Sequence, residues 1–65
     1  MWRVVYLAQT KEIADSISDL LSREGFWIKV KPVYRNVSIK DNYYEILIPE
    51  SEAEEVHTLL MENGY

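Results

Sequence analysis

The sequence predicts an α+β domain of βαββα order. It has a three-stranded mixed sheet (order 1-3-2) with two helices on one face, a truncated ferredoxin-like arrangement. Three observations predict it. Apolar residues recur at helical spacing in two segments, around Ile17 and around Val56. Three other segments of strand length are rich in β-branched and aromatic residues. The one crossover joins the first and second strands, so these run parallel without being neighbours, and the third fits between them, antiparallel to both.

Trp2 to Ala8 reads as the first strand, because valine, tyrosine and tryptophan suit a pleated surface. Thr10 is placed to cap a helix. Beyond it Ile13, Ile17, Leu20 and Leu21 fall on one stripe, with Ala14 at its edge, while Lys11, Asp15, Ser18 and Ser22 take the opposite side. Gly25 ends this helix, since glycine tolerates the left-handed conformation.

Phe26 to Pro32 reads as the second strand, with Phe26, Ile28 and Val30 alternating with Trp27, Lys29 and Lys31. A polar loop from Arg35 to Asn42 follows, in which Val37 and Ile39 suggest an irregular extension of that strand. Tyr43 to Ile48 is the third strand, stopped by Pro49. Ser51-Glu52-Ala53-Glu54 has the form of a capping box, and Ala53, Val56, Leu59 and Leu60 form the buried stripe of the helix it would open. Asn63-Gly64 closes that helix.

With 65 residues, the chain is read as one domain spanning 1–65. A domain this small buries only about 60% of the surface its unfolded chain exposes, and small domains often gain stability from disulfides, a metal or a partner. The chain has no cysteine, which removes disulfides and thiolate metal sites. A hydrophobic fraction of 48% is enough for a core. The absence of cysteine, of a long apolar run and of a signal-peptide pattern at Met1-Trp2-Arg3 leads us to expect a cytoplasmic protein without membrane contact.

The net charge of −4 disfavours general nucleic-acid binding. The charge is uneven. Glu50, Glu52, Glu54, Glu55 and Glu62 occur without an intervening cation, and Lys29, Lys31, Arg35 and Lys40 occur without an intervening acid.

A family likeness emerges from these elements. It rests on Val4-Val5-Tyr6-Leu7-Ala8, on Glu12-Ile13-Ala14 through Leu20-Leu21-Ser22-Arg23-Glu24-Gly25-Phe26, and on Glu45-Ile46-Leu47-Ile48-Pro49 running into the acidic Glu50 to Glu55. Over nearly its whole length the chain resembles the small bacterial domains of unknown function grouped as prokaryotic signal-transducing proteins. Between the second and third strands it departs from them, because Val33 to Asn42 has no glycine where members often carry several. The likeness implies a ferredoxin-like fold and a regulatory role, and it supplies no catalytic residue.

Chemistry is sparse. Glu54-x-x-His57 has the spacing of a di-iron half-site, but a site needs more inward carboxylates or histidines and this is the single histidine; a solvated helix flank explains the pair. Glu45 is read as the partner of Lys29 or Lys31 across the sheet rather than as a base. No nucleophile–base set can be assembled, and the two glycines both follow helices, so no phosphate-cradling loop exists. We expect no enzyme, no cofactor and no metal.

The back of the sheet is what remains. Alternation puts Trp27, Lys29, Tyr43, Glu45 and Leu47 outward, and Tyr44, Ile46 and Ile48 inward. The first strand is ambiguous; with Val5 and Leu7 inward, Trp2, Val4 and Tyr6 join the outer face. The expected interface is Trp2, Tyr6, Trp27, Lys29, Tyr43 and Leu47, used to form a homodimer, with a small-molecule ligand as a further expected partner. The alternative is single-stranded RNA stacking on these aromatics, as ferredoxin-like sheets can do.

Overall fold

The computed structural model describes residues 1–33 and 43–65. Its elements are β1 (Trp2–Ala8), α1 (Lys11–Arg23), β2 (Lys29–Val33), β3 (Tyr43–Pro49), a 3-10 turn (Glu50–Glu52) and α2 (Ala53–Glu62). The sheet order is β1-β3-β2 and both pairings are antiparallel. The α+β arrangement read from the sequence is the one observed. The loop expected from Arg35 to Asn42, with its strand extension through Val37 and Ile39, lies outside the described residues.

One cluster of buried side chains joins the layers: Ala8, Ile46 and Ile48 from the sheet, Ala14, Ile17 and Leu21 from α1, Ala53, Val56 and Leu60 from α2. Both helices therefore lie on the face to which Ile46 and Ile48 point. Among the described residues, no helix or strand lies on the opposite face.

Both helices end in the same way. Gly25 has φ 87° and Gly64 φ 86°, a region closed to most residues with a side chain. At each, the glycine amide donates to the carbonyl three residues back and the next amide to the carbonyl five back: Gly25 to Ser22 and Phe26 to Leu21, Gly64 to Met61 and Tyr65 to Leu60. These are paired Schellman closures. They turn Phe26 and Tyr65 back onto the core.

The helix starts differ. Thr10 accepts a hydrogen bond from the Ile13 amide at 3.1 Å, as its position predicts. The capping box expected at Ser51 does not form. The chain leaves β3 through the 3-10 turn, α2 begins at Ala53, and neither the turn nor α2 has a side-chain cap. Ser51 is thus inside the turn instead of ahead of the helix. Thr10→Ala should cost about 1 kcal/mol, while Ser51→Ala should change stability by less than about 0.5 kcal/mol. Urea unfolding of the two variants followed by circular dichroism checks the contrast.

The second strand starts three residues later than expected, at Lys29 rather than Phe26. The reason is Pro49. The Glu50 amide donates to the Met1 carbonyl at 2.8 Å, so Trp2 and Pro49 form a non-hydrogen-bonded pair and the Pro49 nitrogen faces β2. Continuing the register of Lys29 with Leu47 would set Trp27 against Pro49, which has no N–H to give. The ladder stops there, and Phe26 and Ile28 pack on the core from outside it.

Candidate functional site

The open sheet face is assembled from register. On β3, Ile46 and Ile48 are fully buried, so Tyr43, Glu45 and Leu47 point away from the helices. Lys29 pairs with Leu47, Lys31 with Glu45 and Val33 with Tyr43, which brings these three β2 residues to the same outer face. On β1, Trp2 pairs with Pro49, Val4 with Leu47 and Leu7 with Glu45.

A β-bulge between Val4 and Tyr6 reverses the parity of β1 part-way along. The expectation that Tyr6 belongs to the outer face is corrected by it. Tyr6 pairs with buried Ile46, packs against the core, and meets the Tyr65 ring edge-on with centroids 5.9 Å apart. Leu7, expected inward, takes the outer position and is 49% exposed. Trp2 and Val4 are outward as read. Trp27 precedes the strand and is 77% exposed, the barest large apolar side chain after Met1 among the described residues. The residues of the expected interface that the structure does bring together are Trp2, Lys29, Tyr43 and Leu47.

Lys29 does more than sit on this face. Its Nζ lies 4.3 Å from the centre of the Trp2 ring. Trp2 is on β1 and Lys29 on β2, with β3 between them. The two side chains therefore meet above the middle strand, in a cation–π contact that spans the sheet.

The polarity of the molecule follows. Among the described residues, the outer face has Lys29 and Lys31 against one acid, Glu45. The helix side is acidic. A cleft of about 620 Å³ between the end of α1 and α2 is lined by Glu24, Glu54, Glu55 and Glu62 around Phe26 and Leu59. A smaller hollow of about 470 Å³ beside the bulge is lined by Arg3, Val4, Val5, Ala53, Glu54 and His57. Glu54 and His57 thus border one hollow, and both are exposed. Among the described residues, no three acidic or histidine side chains converge as a metal site would need. Glu52 keeps its Oε2 out of water without a hydrogen bond; its place at the start of α2, in the positive end of the helix, offsets part of that cost. Lys11 and Asp15 form an exposed ion pair at 3.1 Å, whose hydrogen bond raises the lysine above its ordinary value.

Comparisons with protein-family models, with curated proteins and with solved structures return no match for this chain. Among the described residues no helix is long and apolar enough to cross a membrane. The functional reading therefore rests on the residues themselves.

Proposed function

We propose that the protein is a small interaction module that self-associates through its open sheet face, as a homodimer, in a regulatory role of the kind the family likeness implies. The observation that carries the reading is the uncovered face itself: Trp2, Val4, Leu7 and Leu47 form a continuous apolar band along β1 and β3. An apolar band of this kind commonly marks an interface.

A second copy suits the face better than a partner strand suits the edges. The β1 edge is bent by its bulge, and β2 carries Lys29, Lys31 and Pro32, the devices that discourage edge pairing. Strands of seven, five and seven residues span roughly 300 Å² in projection per copy, below the roughly 600 Å² per partner at which standard specific interfaces begin. The expected dimer is thus weak and reversible, with a dissociation constant on the order of 10 µM. RNA is disfavoured by the same geometry. Tyr6 is turned inward, and one side of the Trp2 ring is occupied by Lys29, which leaves few free rings for bases.

Leu47→Glu is the test. Leu47 is central on the face, so the new carboxylate can be solvated in a single chain but must be desolvated in the dimer, a cost that pairing with the neighbouring Lys29 only partly offsets. Sedimentation equilibrium up to several hundred micromolar, an order of magnitude above the expected constant, should give a dimerising parent and a folded, monomeric variant. Val4→Lys, placed across β3 from Lys29, should act alike. A parent that remains monomeric, or a Leu47→Glu protein that dimerises as the parent does, overturns the reading.

A further inference from the structure

Leu47 is partly buried although no described helix or strand lies over it, and Trp2 is 36% exposed against 77% for Trp27. The register explains what covers them. Lys29 is directly opposite Leu47 on β2, yet its ammonium ends over the Trp2 ring on β1. Strands that flank a third are separated by roughly 10 Å, more than a lysine side chain reaches, so the stem leans over β3 and the Trp2 indole leans in to meet it. Lysine stems commonly cover apolar surface in this way while the ammonium stays wet.

We infer that Lys29 is an intramolecular strap, which closes the apolar band of the single chain and has to be displaced when that band is buried. The inference rests on the proposed self-association for its second half only. The strap itself is a property of one chain. Two further features fit it. The ring that meets the ammonium belongs to β1, on the far side of the band from β2, so one contact spans its width. Lys31, the other outward cation of β2, stands opposite Glu45 and not opposite an apolar residue, which leaves Lys29 as the lysine placed over the band.

The mechanism sets the sign of the effect. An exposed cation–π contact is weak, so the strap opens readily and weakens association without preventing it. In the dimer two straps must open. Removing them should tighten association by about five- to thirty-fold, the contact being lost once in each copy. A positive contribution of Lys29 to the interface would give the opposite sign.

The experiment uses Lys29→Ala and Lys29→Arg, each in a Trp27→Phe background so that Trp2 is the only tryptophan. At a concentration where all are monomeric, acrylamide quenching of Trp2 should rise about two-fold in the alanine variant, as the covered side of the ring opens, and stay near the parent value in the arginine variant. Unchanged quenching in Lys29→Ala overturns the strap. Sedimentation then reads the second half: the alanine variant should dimerise more tightly than the parent and the arginine variant about equally. An alanine variant with unchanged or weaker association overturns the claim that the strap opposes docking. If the parent is monomeric and Leu47→Glu is silent, the self-association reading fails, and the quenching result still decides whether Lys29 covers the ring.

Discussion

Ile17→Ala should leave the protein largely unfolded at moderate temperature. Ile17 has no exposed surface and sits mid-way along the buried stripe of α1, between Ala14 and Leu21, where α1 packs on β3. Truncating a fully buried isoleucine to alanine costs about 2–5 kcal/mol, part lost transfer energy and part the cavity left behind. A chain this short has a total stability of about 3–10 kcal/mol. The loss is therefore comparable with the whole. For a domain of this size, 1 kcal/mol moves the melting midpoint by about 4–8 °C, so the variant should melt at least about 8 °C lower or show no cooperative transition. Thermal melts by circular dichroism measure it. A midpoint within about 3 °C of the parent would mean that α1 can slide to refill the cavity, and the packing of the helix on β3 would have to be redrawn.

The helices and the central strand were legible in the sequence because each has one buried side and one wet side. Alternation on β3 separates Tyr44, Ile46 and Ile48 from Tyr43, Glu45 and Leu47, and the structure keeps that division. β1 has no such contrast. After Arg3 it reads Val-Val-Tyr-Leu-Ala, apolar or aromatic throughout, so a bulge at Val5 changes the facing of everything beyond it without leaving a trace in composition. That is why Tyr6 and Leu7 exchanged faces. The start of β2 was hidden for a different reason. It depends on which way the Pro49 nitrogen points, a property of the partner strand's register and not of Phe26 to Ile28.

The candidate face was legible in the same measure. Leu47, Lys29, Tyr43 and Trp2 came from parity and a single ambiguous choice. The contact between Lys29 and Trp2 could not be read, because it links two strands that are separated by a helix in the chain and are not paired in the sheet. Ser51 shows the reverse failure. The motif is present, but the 3-10 turn after Pro49 starts the helix one residue too late to use it, so that Glu52 takes the N-cap position. A capping box specifies a helix start only when the backbone arrives extended.

Tyr65 carries the second large effect. Sequence reading assigned it nothing, yet it ties three elements together. Its amide closes α2 on the Leu60 carbonyl, its ring stands at 79° to Tyr6 of β1, and its hydroxyl lies 2.6 Å from the Ser16 hydroxyl of α1. The αL glycine before it sets this direction, since the Schellman closure returns the following residue to the helix's own buried side. Tyr65→Ala should cost about 2–3 kcal/mol, below the 3–5 of a fully buried aromatic because the ring is only half-buried. Tyr65→Phe keeps the ring and gives up one exposed hydrogen bond, so it should cost no more than about 1 kcal/mol. Ser16→Ala should cost a similar small amount, and the double variant Ser16→Ala with Tyr65→Phe should cost less than the two single losses added, because they share one bond. Urea unfolding of the four proteins gives these values. If Tyr65→Ala proves as mild as Tyr65→Phe, the ring contributes nothing to the core, and its edge-on contact with Tyr6 is a surface arrangement without energetic weight. If the Phe variant is instead as severe as the Ala variant, the hydroxyl pair is the principal tie between α1 and the end of α2, and the ring serves mainly to carry it there.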